Sequence, residues 1–218
     1  MRVAIYWAPS ARDPLWALGS SWLGRDAETG RAMPQPDVPD LAALTESPRR
    51  YGFHATLKAP MRLTGSYEAF REDAHALART LKPACLPPLA IRSLDGFAAL
   101  CPSKEAPELA VLAAAVVTEL DHHRLPEAAE KQASRAIGRT PAQLAHLARW
   151  GYPFVLDEWR FHMTLSNTGA AAASLLAAAA RHFGAVLEKE RHIGEIAIFV
   201  EPEPGAPFHL AERLALAS

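Results

Sequence analysis

Residues 51–60 read Tyr51-Gly52-Phe53-His54-Ala55-Thr56-Leu57-Lys58-Ala59-Pro60, and residues 159–166 read Trp159-Arg160-Phe161-His162-Met163-Thr164-Leu165-Ser166. Both stretches alternate apolar and polar side chains. In an extended chain, residues i, i+2 and i+4 share a face. The first stretch therefore predicts a strand over 52–58 with His54, Thr56 and Lys58 projecting together and Phe53, Ala55 and Leu57 packed behind. The second predicts a strand over 159–166 with Arg160, His162, Thr164 and Ser166 on one face and Phe161, Met163 and Leu165 on the other. A face that holds His, Thr and a cation suits a cleft better than bare solvent.

The surroundings of the two stretches repeat. Each is followed by an amphipathic helix, the first over 67–81 with Phe70, Ala74, Leu77 and Leu81 on one stripe, the second over 171–187 with Leu176, Phe183 and Leu187. Further strands are predicted at 2–7, 89–94, 96–101, 193–200 and 207–216, and another helix over 107–121. The two histidines lie 108 residues apart, about half the chain. Two copies in matching positions predict two similar lobes. The expected fold is α+β: bilobal and pseudo-symmetric, each lobe an antiparallel sheet with helices, enclosing a central cleft. We expect one bilobal domain over 1–218, with a first lobe centred on 50–102, a helical insertion at 125–150 and a second lobe at 155–216. In the insertion, Thr140-Pro141 forms a helix start and Gly151 a stop. Residues 8–50 read as an ordered cover with one short helix over 15–23.

Composition narrows the function classes. Of 218 residues half are apolar, and formal net charge is −1, so no global field draws in long nucleic acid or an anionic membrane. No apolar run approaches the roughly 20 residues that span a bilayer. Cys85 and Cys101 are the only cysteines, too few for a secreted disulfide framework. A cytoplasmic monomer is expected.

Two imidazoles, two threonine hydroxyls and nearby cations in one cleft fit phosphoester chemistry. One neutral histidine takes a proton from the attacking oxygen; the other, protonated, returns one to the leaving oxygen. Threonines and cations would hold the non-bridging oxygens. This scheme requires no metal and no cofactor.

The paired strings His54-Ala55-Thr56-Leu57 and His162-Met163-Thr164-Leu165 resemble the 2H phosphoesterase superfamily, which includes 2′-5′ RNA ligases and cyclic-nucleotide phosphodiesterases. The longer strings over 51–60, 150–153 (Trp-Gly-Tyr-Pro) and 160–165 are similar to a bacterial branch encoded with phosphonate-use (carbon–phosphorus lyase) genes. The resemblance implies a cytoplasmic, metal-independent phosphoric diester hydrolase with His54, Thr56, His162 and Thr164 as its catalytic set, acting on a small cyclic phosphate or nucleotide. The alternative is a nucleotide- or RNA-end-binding, or 2′-5′ RNA ligase-like, protein without turnover.

Around this set, Lys58, Arg160 and Ser166 are expected to contact substrate, with solvated strand ends as the plainer reading of the two cations. Tyr6, Tyr51 and Tyr152 are candidates to close over a base or sugar ring, against the plainer reading of buried structural tyrosine. Arg49-Arg50 offers a guide for an anion, against the plainer reading of an exposed loop pair. His75, His122, His123, His146, His182, His192 and His209 look ordinary. His122 and His123, being adjacent, are expected to diverge on a helix and make a poor metal pair.

Overall fold

The computed structural model describes residues 1–217. Strand β1 (Arg2–Trp7) is buried from Val3 onward. Helix α1 (Pro14–Leu23) starts at Asp13, whose carboxylate accepts from the Leu15 amide at 2.9 Å, and ends at Gly24 in the left-handed region. Short helices α2 (Leu41–Leu44) and α3 (Glu46–Tyr51) lead to β2 (Ala55–Met61), which carries most of the first motif. Then come α4 (Tyr67–Ala78), β3 (Ala84–Leu86), β4 (Leu89–Leu94), β5 (Phe97–Pro102) and α5 (Pro107–Glu119). The inserted segment forms α6 (Ala129–Ala136) and α7 (Pro141–Trp150). The chain finishes with β6 (Met163–Thr164), α8 (Leu175–Phe183), β7 (Arg191–Ile193), β8 (Glu195–Glu201) and β9 (His209–Ala215).

Seven strands form one antiparallel sheet in the order β4-β5-β6-β2-β1-β8-β9, and β3 pairs with β7 alone. The α+β class and the antiparallel sheet are as expected. The two motif strands are direct neighbours at the middle of that sheet. Helix α5 lies against β2 and β3, α8 against α1 and β4, and α4 against β9. Leu15, Trp22, Phe53, Phe70, Phe183 and Phe199 are among the large side chains that fill the core.

Residues 8–50 hold three helices where one was expected, β3 and β7 add a strand pair that the sequence reading lacked, and both motif strands differ from it in their bounds. The second motif pairs only through Met163 and Thr164, not over 159–166, and a tight turn at Leu156–Glu158 precedes it. Strand β2 starts at Ala55 and continues through Pro60. Proline is tolerated there because β6 is too short to use that edge of β2 beyond Ala55. The hairpin between β4 and β5 closes through Asp95-Gly96, both at positive φ (47° and 86°), as a two-residue primed turn requires. The helix expected over 171–187 is regular only at α8, with tighter turns at either end, and Leu175 rather than Leu176 takes the fully buried position.

A two-residue strand needs support, and two tryptophans supply it. The Trp159 indole N–H donates to the Thr56 carbonyl at 2.8 Å, and Trp22 donates to the Leu165 carbonyl at 2.8 Å. Trp22→Phe keeps an aromatic ring in the core but leaves a buried carbonyl unpaired. It is expected to cost about 1–3 kcal/mol, a drop in melting temperature of roughly 2–10 °C for a chain of this size. Thermal denaturation checks this; an unchanged melting temperature would remove Trp22 as a clamp.

Candidate active site

The single pairing Ala55↔Met163 joins the middle residues of the two motifs. Extending that antiparallel register by one residue each way sets His54 opposite Thr164 and Thr56 opposite His162. Each motif thus offers its histidine across from the threonine of the other. All four side chains line one cleft of about 370 Å³, within the range of roughly 300–1,000 Å³ typical of small-molecule sites.

Both imidazoles are held in the same way. His54 Nδ1 lies 2.9 Å from the Gly52 carbonyl, and His162 Nδ1 lies 2.9 Å from the Arg160 carbonyl, two residues back in each case. A carbonyl only accepts, so each Nδ1 carries the proton and each Nε2 presents a lone pair. The Thr56 hydroxyl donates to His54 Nε2 at 3.2 Å. Gly52 makes the first arrangement possible: its φ of 80° is open to glycine, and a Cβ there would run into Ala27. The Tyr6 ring stacks on His54 at 3.7 Å between centroids, and the Phe97 ring lies 5.6 Å from that of His162.

This enclosure sets the charge state. Burial pushes the His54 imidazolium down to about pKa 4, opposed by the Gly52 carbonyl and reinforced by the nearby His162. Burial also lowers His162, with the Arg160 carbonyl and the Asp95 carboxylate pulling the other way. His54 is therefore neutral at pH 7. Burial likewise holds the Tyr6 and Tyr152 hydroxyls protonated well past neutrality.

Of the remaining expected residues, Tyr6, Tyr51, Tyr152 and Ser166 line the same cleft. The Ser166 hydroxyl is already committed, accepting from the Ala98 amide at 2.9 Å and donating to the Asn167 carbonyl at 2.9 Å. Arg160 lines a smaller adjoining pocket with Thr56, Tyr152 and His162, and pairs with exposed Asp95 at 2.6 Å. Lys58 is not brought to the cleft. An irregularity in the β1–β2 register breaks the alternation between Thr56 and Lys58. The Lys58 ammonium is buried instead, donating to the Val117 carbonyl at 3.0 Å and Asp121 at 3.2 Å. Burial pushes its pKa down to about 8, against the pull of Asp121. Arg49 and Arg50 are also occupied: Arg49 caps the Leu23 and Ala42 carbonyls, and Arg50 pairs with Glu201.

The cleft cations are two residues the sequence reading passed over, Arg2 and Arg135. Arg2 was legible, since it shares a strand face with Tyr6 at i+4; Arg135 comes from the insertion and had no such signal. Arg2 is anchored by Glu201, and Arg2 beside it is the main reason that carboxyl falls to about pKa 2. His122 and His123 also depart from expectation. Helix α5 ends at Glu119, and the tight turn that follows points both rings the same way, 4.1 Å between centroids.

Among known proteins, residues 56–209 match a family described as "Protein of unknown function (DUF1045)". The chain is a member of that family. Two curated relatives, both named ribose 1,5-bisphosphate phosphokinase PhnN, align along almost all of it. The one from Laribacter hongkongensis (strain HLHK9) is 38% identical over 99% of this chain and 52% of its own length. The one from Janthinobacterium sp. (strain Marseille) is 37% identical over 98% and 50%. The chain thus spans about half the length of the curated relatives it matches. Among solved structures, Escherichia coli LigT complexed with NADP+ aligns over 100% of this chain and 98% of its own, at 11% identity and a TM-score of 0.46. The Thermus thermophilus protein TT0787 aligns over 99% and 98%, at 15% and 0.46. At these values the likeness assigns no activity.

The Lys58–Asp121 pair makes an asymmetric prediction. Lys58→Met leaves Asp121 paired with Arg124 at 2.8 Å and Arg149 at 3.1 Å but unpairs the Val117 carbonyl, so it is expected to cost about 1–3 kcal/mol. Asp121→Ala strands a buried ammonium and is expected to cost about 3–5 kcal/mol. Denaturant titration at neutral pH gives both values, and the reverse order would contradict a structural role for Lys58.

Proposed function

We propose that the chain is a metal-independent phosphoesterase of the 2H type, a cyclic phosphodiesterase for a small cyclic phosphate or nucleotide phosphodiester. The observation that carries this reading is the facing pair of imidazoles, each pinned at Nδ1 and each presenting Nε2 to one cleft. His54 serves as general base: burial keeps it neutral at rest, and no carboxylate among the described residues favours its charged form. His162, with the Asp95 carboxylate favouring its charged form, serves as general acid. His54 Nε2 removes a proton from water as the water oxygen bonds to phosphorus. The P–O bond to the leaving oxygen breaks, and His162 protonates that oxygen. The product is a phosphate monoester with a free hydroxyl, and one proton passes from His54 to solvent as His162 regains one. Thr56 and Thr164 hold the non-bridging oxygens, and Arg2 and Arg135 offset the charge that builds on them.

The character of the cleft supports a scheme without metal. Among the described residues, two guanidinium groups and no carboxylate line its main part, a setting that repels cations. For the substrate, the name shared by the curated relatives concerns ribose 1,5-bisphosphate, and those proteins are about twice as long as this chain. We take a ribose cyclic phosphate, in phosphonate metabolism, as the first candidate.

A panel of 2′,3′-cyclic nucleotides, ribose cyclic phosphates and short 2′-5′-linked RNAs, with and without EDTA, tests the reading. Turnover is expected to survive chelation, and His54→Ala or His162→Ala to lose about 10²–10⁴-fold in rate. Tight nucleotide binding with no turnover anywhere in the panel would make this a binding protein instead. The pH dependence is also specified. The base must be deprotonated, so kcat/KM falls as pH drops through about 4. The acid must be protonated, so it falls again as pH rises through the lowered His162 value. A bell with its maximum on the acid side of 6.5 is expected in the free-enzyme profile; a maximum above pH ~8 would overturn the assignment.

A further inference from the structure

Away from the cleft, the turn after α5 places an unusual set of donors together. Asp73 of α4 offers Oδ2 to two imidazoles at once: His122 Nε2 lies 3.1 Å from it and His123 Nε2 2.9 Å. The three donor atoms all lie within 4.8 Å of one another. His123 is buried, its ring edge-on to Phe70, while Asp73 and His122 are open to solvent.

The hydrogen bonding of His122 makes this more than a pair of surface ion pairs. Its Nδ1 lies 2.9 Å from the Glu119 carbonyl, which only accepts. In the neutral ring the proton is therefore on Nδ1, and the Nε2 lone pair points at a carboxylate oxygen. Two acceptors at 3.1 Å repel. The contact turns attractive if the ring takes a second proton or if a cation lies between the two atoms. A single divalent ion satisfies all three donors.

We propose that Asp73, His122 and His123 form a binding site for a divalent transition metal of the zinc class, which clips α4 to the turn following α5. The donor chemistry fits: two imidazoles and one carboxylate suit a borderline cation, and a backbone carbonyl orienting the far nitrogen of a ligating histidine is the usual supporting contact. The two carboxylate–imidazole spacings fit as well, and the imidazole nitrogens lie within 4.8 Å of each other. At Zn–N and Zn–O bonds of about 2.0–2.1 Å, tetrahedral donors stand about 3.3 Å apart, so the observed 2.9 and 3.1 Å open by only a few tenths of an ångström. Water fills the fourth position.

The clip has a structural consequence. The turn is already tied to the first motif strand through Lys58–Asp121, and to α7 through Asp121–Arg149. The Thr64 amide donates to the His123 carbonyl at 2.9 Å, and the Leu125 amide to the Arg62 carbonyl at 2.8 Å. A metal here fastens α4 to the point where the chain leaves for the insertion that carries Arg135. The proposal does not depend on the chemistry assigned to the cleft.

The test uses untagged full-length protein, stripped with chelator and titrated with Zn²⁺, and with Co²⁺ as a spectroscopic probe. One Zn²⁺ is expected per chain, with a melting temperature raised by roughly 5–10 °C when zinc exceeds the dissociation constant a hundredfold. Asp73→Ala, His122→Ala and His123→Ala are each expected to lose that shift and the tetrahedral Co²⁺ absorption. His123 is buried, so the two exposed positions decide the matter if that variant fails to fold. Zinc binding unchanged in Asp73→Ala and His122→Ala, or binding only at millimolar zinc, would overturn the site. Chelation of Asp73→Ala separates the two metal questions: turnover lost there on adding EDTA counts against the metal-free cleft, not against this site.

Discussion

One backbone pairing, Ala55 with Met163, holds the two halves of the cleft in register. Strand pairing is usually secured by length, and here one of the partners is two residues long. The missing ladder is replaced from the sides. The indole of Trp159 holds the first motif's Thr56 carbonyl, the indole of Trp22 holds the second motif's Leu165 carbonyl, and the Leu165 amide reaches the Ala98 carbonyl of β5. A slip of one residue would turn His54 and His162 to opposite faces of the sheet. Clamps on both flanks make the register a property of the packed core and not of the short strand alone.

The same enclosure that fixes the register also sets the electrostatics. Tyr6 stacked over His54 and Phe97 beside His162 exclude water from one side of each ring, and the resulting desolvation disfavours the imidazolium forms. The cost falls on charged histidine; the carbonyl at each Nδ1 offsets part of it and fixes the tautomer that, in the neutral ring, leaves the lone pair at Nε2. The cations are handled in the opposite way. Arg2 reaches the cleft already paired with buried Glu201, and Arg135 is tied to Glu127 at 3.1 Å and to the Gly151 carbonyl at 3.0 Å. Both guanidinium groups are thus held in place at the cleft wall by contacts of their own.

How much of this was legible follows from what alternation can report. The apolar–polar pattern around His54 and His162 gave the shared face, and the repeat gave two matched motifs on one cleft; it assigned each motif to a sheet of its own lobe, whereas the two strands lie side by side in one seven-stranded sheet. Alternation presumes an unbroken strand, and it failed where the strand is broken. The register shift between β1 and β2 sent Lys58 to the interior, and the second strand, after the turn at Leu156–Glu158, is only two residues long. Leu156 adopts a φ of 54°, a conformation that nothing in its side chain announces. Asp95 became part of the surroundings of His162 only through the primed turn that Asp95-Gly96 forms between β4 and β5. Periodicity likewise carried α5 through residue 121. The helix stops at Glu119, and the change from a regular to a tighter turn is what aligns His122 with His123.

The asymmetry of the molecule lies in the insertion, and so does the scope for selectivity. The two motifs are alike in sequence and in the carbonyl that holds each Nδ1, and differ locally in the Thr56 contact to His54 and the Asp95 carboxylate near His162. What distinguishes one side of the cleft from the other is Arg135 and Tyr152, which come from α6 and the turn after α7, set against Arg2, Tyr6 and Tyr51 from the body of the fold. The insertion contributes few deeply buried residues of its own; α6 buries none, and α7 buries Leu147 alone. Its position therefore rests on polar ties: Arg124 to Asp121 and to the Arg149 carbonyl, Arg135 to Gly151, and Gln143 to Glu158. The ties of Arg124 and Arg149 converge on the Asp121 turn, which Lys58 anchors from beneath the first motif strand. The wall that distinguishes one ligand from another is thereby fastened to the same strand that presents Thr56 and is entered from His54.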